Sequence, residues 1–104
     1  IKVKGMSVFP AEVEMMLADH PEIGSVAVVP AEDATSGQRP VAFVSARAGG
    51  SLSADTVEEW ARGRMAGYKV PLVAVVEAFP LTDTGKIRKP QLLARAQELA
   101  DTRD

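Results

Sequence analysis

Residues 23–46 read IGSVAVVPAEDATSGQRPVAFVSA, and this stretch decides the fold. Residues 23–29 are rich in β-branched side chains and predict a β-strand, and residues 39–46 predict a second one. The segment between them, residues 30–38, is mostly polar and turn-forming and predicts a loop. This stretch therefore predicts two of the strands of a small sheet.

Two helical patterns flank this strand pair. Pro10 suits a first helical turn, because its missing N–H would be unpaired there, and Val13 and Leu17 lie on one apolar face. Ser53 is a good N-cap for a second amphipathic helix, for which Gly67 is the expected C-terminal stop. Both helices therefore have one face to bury against the sheet.

The remaining elements complete an α+β domain. Residues 1–9 predict a short extended segment with a loop at Lys4-Gly5, residues 72–76 a further strand, and residues 90–100 a last helix. The order is β-α-β-β-α-β-loop-α, and a mixed three-stranded sheet with flanking helices is the simplest packing for it. No internal repeat or linker divides residues 1–104, so they predict one domain.

Composition excludes several classes of protein. The chain has 104 residues, of which 46% are hydrophobic and 25% charged, as in ordinary globular domains. It has no cysteine, which excludes disulfides and thiolate metal sites, and no apolar run long enough for a transmembrane span. Its net charge of −2 predicts no general attraction to nucleic acid. Because it begins at Ile1 rather than at methionine, we expect a piece of a longer protein.

The first candidate for chemistry is the loop PLTDTGKIRK, residues 80–89. Lys86 follows a glycine turn and can place a compact positive charge on a carboxylate or a phosphate. The loop lacks the spacing of a Walker A phosphate loop. The alternative is an exposed surface loop whose lysines are merely solvated.

Two further segments carry charge beside glycine. In Gly67-Tyr68-Lys69-Val70-Pro71, the only tyrosine and a lysine could stack on a base and contact a phosphate, or simply connect a helix to a strand. In Lys2-Val3-Lys4-Gly5, two cations could flank an anionic ligand, or protect a strand edge from aggregation.

Other polar residues favour structural roles. His20, the only histidine, is expected near the C-terminus of the first helix in a capping or solvated role, with no metal cluster around it. Glu12 and Glu14 are two residues apart on one helix and do not face each other, so they do not predict paired acid–base catalysis. The methionines, at positions 6, 15, 16 and 65, are expected to fill the core.

Three segments together resemble a known family. Residues 1–14, IKVKGMSVFPAEVE, resemble the I-K-x-x-G-x-x-[VI]-x-P-x-E-[VI]-E segment of adenylate-forming enzymes, which include acyl-CoA synthetases, peptide-synthetase adenylation domains and luciferases. Residues 68–71 resemble their Y-K-x-P segment, and residues 80–89 resemble their P-x-[ST]-x-[ST]-G-K-[IV]-x-[RK] motif. The order and spacing are those of the small C-terminal domain of these enzymes.

The resemblance implies a two-step, acid–thiol ligase. A carboxylate attacks the α-phosphate of ATP to give an acyl-adenylate and pyrophosphate, and a thiol, usually that of coenzyme A, then displaces AMP. The small domain rotates between the steps and presents a different face each time. By resemblance, Lys86 is the catalytic lysine of adenylation, Gly5 lies beside the pantetheine tunnel, and Ser7, Tyr68 and Lys69 lie on the coenzyme A side.

The resemblance also implies partners that lie outside this chain. ATP, Mg²⁺ and the carboxylic acid substrate are expected to be held mainly by a large N-terminal domain of the same polypeptide, so the fragment alone is expected to be inactive. The resemblance is strongest to fatty-acyl-CoA synthetases, and the protein is expected in the cytoplasm. The alternatives are a stand-alone, non-catalytic binding or regulatory module and a nucleic-acid binder, which the net charge disfavours.

Overall fold

The computed structural model describes residues 1–102, so the last two residues of the expected 1–104 domain lie outside the description. The strands are β1 (Lys2–Val3), β2 (Met6–Ser7), β3 (Ile23–Asp33), β4 (Gly37–Ala46) and β5 (Leu72–Val75). The α-helices are α1 (Pro10–Ala18), α2 (Ala54–Arg62) and α3 (Leu93–Thr102), and short 3₁₀ turns cover Gly67–Lys69 and Lys89–Leu92.

A long antiparallel hairpin, β3 and β4, forms the centre of the sheet. Its ladder runs from the Ile23–Ala46 pair to the Asp33–Gly37 pair. The loop predicted for residues 30–38 is therefore wrong, because only residues 34–36 turn. Pro30 lies opposite Pro40, a pairing that an antiparallel ladder tolerates where facing residues exchange no hydrogen bonds.

The predicted mixed sheet is confirmed, but it has five strands rather than three. β5 runs parallel to β4 along the register Val41–Leu72 to Val44–Val75. β1 joins the same side of β4 through a single pair, Val3–Gly37, and β2 extends the sheet from β1. The two extra strands arise because the predicted extended segment folds back on itself at Lys4-Gly5 as a hairpin.

The two faces of the sheet bury separate core clusters. The first core cluster lies under α1 and α2 and contains Val3, Val8, Val13, Leu17, Ile23, Val28, Ala42, Val44, Val57, Ala61 and Val73. The second core cluster lies under α3 and contains Ala27, Val29, Ala31, Val41, Phe43, Leu72, Leu92, Ala96 and Ala100. Alternate residues of β4 enter opposite clusters, as the two-residue period of a strand requires.

Helix ends and exposed methionines correct two expectations. Ser53 caps α2 as predicted, since its hydroxyl oxygen accepts the Thr56 N–H at 3.2 Å. Gly67 is not the stop, because α2 ends at Arg62 with Gly63 as its C-cap, and Gly67 begins a 3₁₀ turn. Met6 and Met15 do not fill the core: they are 48% and 74% exposed.

Helix side chains cap both outer edges of the sheet. The Glu14 carboxylate of α1 accepts the outward Val28 N–H of β3 at 2.8 Å. On the opposite side, the buried Glu58 carboxylate of α2 accepts the Val73 N–H of β5 at 2.9 Å. These carboxylates satisfy backbone donors that would otherwise offer pairing positions to another chain.

Candidate functional site

The Lys86 loop, residues 80–88, is a closed hairpin with defined hydrogen bonds. Leu81 and Ile87 form a β-bridge at its base. Thr82 donates its N–H to the Lys86 carbonyl oxygen at 2.7 Å, and its hydroxyl oxygen accepts the Lys86 N–H at 3.0 Å. The Gly85 N–H closes the turn on the Thr82 carbonyl oxygen at 2.9 Å. The backbone at Lys86 is thus fixed on both sides.

Gly85 is required by the shape of this turn. Its φ of 88° lies in the left-handed region, where residues with a Cβ are strained. A turn followed by one left-handed residue is a common way to close a three-residue hairpin loop. The glycine before the lysine therefore belongs to the backbone geometry that aims Lys86 outward.

Lys86 is exposed, and the base of its loop packs against the second core cluster. Ile87 and Phe79 pack against that cluster, on the face that α3 covers. In residues 1–102 no hydrogen-bond or ion-pair partner engages the Lys86 ammonium. The loop therefore presents a cation to solvent from a rigid support, which suits contact with an anionic ligand.

The Gly5 hairpin, formed by β1 and β2, extends the sheet from the edge of β4, and its Val3 side chain packs in the first core cluster. Lys4 and Gly5 have φ values of 52° and 81°, the pattern of a two-residue type I′ turn. Gly5 is exposed, and a Cβ built there would meet nothing within 4 Å. Ser7 is also exposed, and its hydroxyl accepts a hydrogen bond from the Lys2 ammonium at 2.7 Å.

A shallow depression of about 570 Å³ brings two of the predicted segments together. Lys4 of the hairpin and Tyr68 of the Y-K-x-P segment both line it, and Tyr68 also packs against the first core cluster. The full lining is Val3, Lys4, Asp33, Thr35, Ser36, Arg39, Pro40, Gly67, Tyr68 and Val70. Cations, hydroxyls and an aromatic ring in one concavity suit a phosphorylated, partly planar ligand.

Sequence reasoning missed the β3–β4 turn as a part of this depression. The Asp33 carboxylate accepts the Ser36 N–H at 2.8 Å. The pKa of Asp33 is lowered from its ordinary value, first by the Ser36 hydroxyl, then by the Ser36 N–H, with smaller effects from Arg39 and Lys4. The spacing Asp-x-x-Ser before Gly37 signals such a turn, but its position beside Tyr68 depends on the sheet.

Lys69, expected on the coenzyme A side with Tyr68, is paired with a carboxylate of α1. The Lys69 ammonium binds the Glu12 carboxylate at 2.5 Å, which raises the pKa of Lys69, and Lys69 does not line the depression. Glu14 instead binds Lys89 at 2.7 Å. Glu12 and Glu14, two residues apart on α1, thus contact different lysines.

His20 has a structural role. Its Nδ1 accepts the Glu22 N–H at 3.0 Å, and its ring packs edge-on against Trp60 at 5.0 Å. Within residues 1–102 no three His, Cys, Asp or Glu side chains are placed to hold a metal ion. No helix in the same part of the chain is long and apolar enough to cross a membrane.

Known proteins are similar to this chain in sequence and in fold. The profile of the AMP-binding enzyme C-terminal domain matches residues 12–86. The chain is 47% identical to a mitochondrial malonate–CoA ligase of Xenopus laevis and 43% identical to the peroxisomal OPC-8:0-CoA ligase 1 of Arabidopsis thaliana, each over 94 residues. Both alignments cover 89% of this chain but only 16% and 17% of those relatives.

A solved structure supports the same assignment. A fatty acyl CoA synthetase of Mycobacterium tuberculosis superposes with a TM-score of 0.81 at 34% identity, over 91% of this chain and 19% of that chain. The resemblance to adenylate-forming enzymes is thereby confirmed, and so is the α+β fold. Because the profile match alone covers more than half of the residues, the chain belongs to the AMP-binding enzyme C-terminal domain family.

Proposed function

We propose that this chain is the C-terminal domain of an AMP-forming acid–thiol ligase and serves two successive half-reactions from two faces. One observation carries the proposal: the Lys86 loop packs on the second core cluster, whereas Val3 and Tyr68 beside the Gly5 hairpin pack on the first. The sheet separates the two groups. Two sites on opposite faces suit a domain that turns a different side to a common active site in each step.

The first half-reaction would use Lys86. A substrate carboxylate must approach the α-phosphate of ATP, so two anions meet while pyrophosphate leaves. The Lys86 ammonium can bridge the carboxylate and the phosphate, reduce their repulsion and stabilise the charge that develops between them. The Thr82 hydrogen bonds hold the lysine backbone in advance, which lowers the cost of ordering the loop at that moment.

The second half-reaction would use the Gly5 hairpin and the depression beside it. Gly5 has open space around it, so a narrow thiol-bearing chain such as pantetheine can pass close to the backbone. Lys4 and Tyr68 would contact the nucleotide end of coenzyme A, with Ser7 beside the same hairpin. Lys69 would join them only after leaving Glu12, since the two side chains are paired here.

Residues 1–102 offer no site for Mg²⁺, because no three His, Cys, Asp or Glu side chains lie close enough together to bind it. The metal, most ATP contacts and the acyl pocket are proposed to belong to a large N-terminal domain of the same polypeptide. The relatives are named for malonate, OPC-8:0 and fatty acyl substrates, and we propose a fatty acid here. The cytoplasmic location stays a prediction, and a non-catalytic module is the alternative function.

The test compares both half-reactions in the full-length protein. We expect Lys86→Ala to lower pyrophosphate release by roughly 10²-fold, as loss of one preorganised charge does elsewhere. Thioester formation from a supplied acyl-adenylate should persist. Arg95→Ala is the matched control, because it removes an exposed cation of α3. Normal pyrophosphate release by the Lys86 variant would overturn the role given to Lys86. No adenylation by the unaltered protein would instead support the non-catalytic module.

A further inference from the structure

A carboxylate of α1 holds Lys89, the residue that directly follows the Lys86 loop. One oxygen of Glu14, Oε2, receives the Lys89 ammonium at 2.7 Å and the Val28 N–H at 2.8 Å. The Glu14 side chain is 23% exposed and that of Lys89 is 42% exposed. This ion pair is therefore partly sheltered, and its carboxylate is held in place by the sheet.

The pair crosses from one layer of the domain to the other. Glu14 belongs to α1, which covers the first core cluster, whereas Lys89 begins the 3₁₀ turn that leads Leu92 into the second. The two meet at the outer edge of β3. Helix α1 directly follows the Gly5 hairpin, so one salt bridge ties the element after that hairpin to the loop on the opposite face.

Lys89 lies three residues after Lys86, and the chain between them is short and constrained. Ile87 packs against the second core cluster, and the Arg88 N–H donates to the Pro80 carbonyl oxygen at 2.8 Å. The Lys89–Glu14 contact is the next anchor along the chain. Without it, the C-terminal side of the loop would keep its backbone bonds but lose its charged tether to α1.

The charges also favour a division of roles. Lys86, Arg88 and Lys89 place three cations within four residues. Glu14 neutralises Lys89, and the Arg88 side chain donates from Nε to the Leu81 carbonyl oxygen at 3.1 Å. Lys86 is left as the cation of this segment that has no partner within residues 1–102. Because Arg88 and Lys89 have partners within the described part of the domain, a substrate anion meets one cation that is unpartnered there, Lys86, rather than three.

We propose that Glu14 is a positioning residue for Lys86, acting through its ion pair with Lys89. The proposal rests on the adenylation role of Lys86 given above. Glu14 touches no substrate; it fixes where the loop carries the lysine. Small displacements of a reacting charge lower rates steeply, so loss of the tether should slow adenylation and leave thioester formation unchanged.

The experiment measures kcat and KM of both half-reactions in the full-length protein, using ATP–pyrophosphate exchange and thioester formation from supplied acyl-adenylate. Glu14→Gln keeps an oxygen for the Val28 N–H but removes the charge, and Lys89→Met removes the cation. Each should lower the adenylation kcat by about tenfold with little change in KM for ATP. Lys89→Arg should restore the rate, and the double variant should be no slower than either single one.

The controls separate failure of this proposal from failure of the proposed function. Arg95→Met removes an exposed cation of α3 and should leave both half-reactions unchanged. If Lys86→Ala abolishes adenylation while Glu14→Gln and Lys89→Met leave it intact, the positioning role is wrong and the function stands. Equal losses in both half-reactions would also overturn positioning, because they indicate general destabilisation. If Lys86→Ala has no effect, the proposed function itself fails.

Discussion

Thr82 holds Lys86 with two hydrogen bonds. The Thr82 hydroxyl oxygen accepts the Lys86 N–H at 3.0 Å, and the Thr82 N–H donates to the Lys86 carbonyl oxygen at 2.7 Å. The same hydroxyl lies 3.1 Å from that of Thr84 across the turn. A small polar side chain at position 82 therefore fixes the backbone that carries the lysine.

Thr82→Val should slow adenylation without unfolding the domain. The variant keeps the shape of the side chain but loses the acceptor for the Lys86 N–H, which is worth about 1 kcal/mol. We expect the rate of pyrophosphate release to fall by about fivefold. Thr82→Ser should behave like the unaltered protein. Thr102→Val, which removes a comparable hydroxyl from the end of α3, is the control, and an equal effect there would contradict the prediction.

Gly85→Ala should destabilise the domain through backbone strain alone. A Cβ at Gly85 would meet no atom within 4 Å, but the φ of 88° is unfavourable for alanine by about 1–2 kcal/mol. Gly67→Ala is the matched control, because Gly67 also has open space and no positive φ. Thermal unfolding should show a lower Tm for the Gly85 variant only. Equal Tm values for the two variants would show that the turn relaxes.

Glu58→Ala should cost more stability than the same change one residue later. Glu58 is 4% exposed, and its carboxylate accepts the Val73 N–H at 2.9 Å. Alanine leaves that buried edge donor unsatisfied, at a cost of about 1–3 kcal/mol. The neighbouring Glu59 is exposed, so Glu59→Ala should change little. Urea unfolding measures both, and Glu58→Gln, which keeps an acceptor oxygen, should recover part of the loss.

Asp33 should titrate below its ordinary range. Its pKa is lowered first by the hydroxyl of Ser36 and then by the Ser36 N–H. Since the folded state has the lower pKa, the stability from this contact is present above the ordinary pKa of 3.8 and is lost as pH falls through the lowered value. NMR titration of the Asp33 carboxyl should show this, and Ser36→Ala should raise the pKa partway. An unchanged pKa in that variant would exclude the hydroxyl as the main cause.

Local patterns in the sequence predicted most elements of the fold. Pro10 starts α1 and Ser53 caps α2 because capping depends on residues within one turn. The prediction that Gly67 ends α2 is wrong, because Gly63 is already the C-cap of this helix. The loop expected at residues 30–38 is mostly strand, because pairing across the sheet outweighs the local preference of proline and polar residues.

Local patterns predicted only the parts of the candidate site that lie within short segments. Lys86 and the Gly5 turn are recognisable from short segments whose shape depends on neighbouring residues. Asp33, Ser36 and Arg39 were missed, although they line the depression beside Tyr68. Their proximity to Tyr68 arises from the β3–β4 register and the parallel pairing of β5, which connect residues far apart in the chain.

The amino-acid sequence by itself determined the helices, the main strands, the family and the lysine loop, because each depends on spacing within a few residues. Only the tertiary structure decided that the Lys86 loop packs on the second core cluster whereas Val3 of the Gly5 hairpin packs in the first. It also decided that Glu14, and not Glu12, is the carboxylate that contacts Lys89. These relationships depend on which strands pair and in which register. The free energy of burying both faces of one sheet selects that arrangement, and no local pattern encodes it.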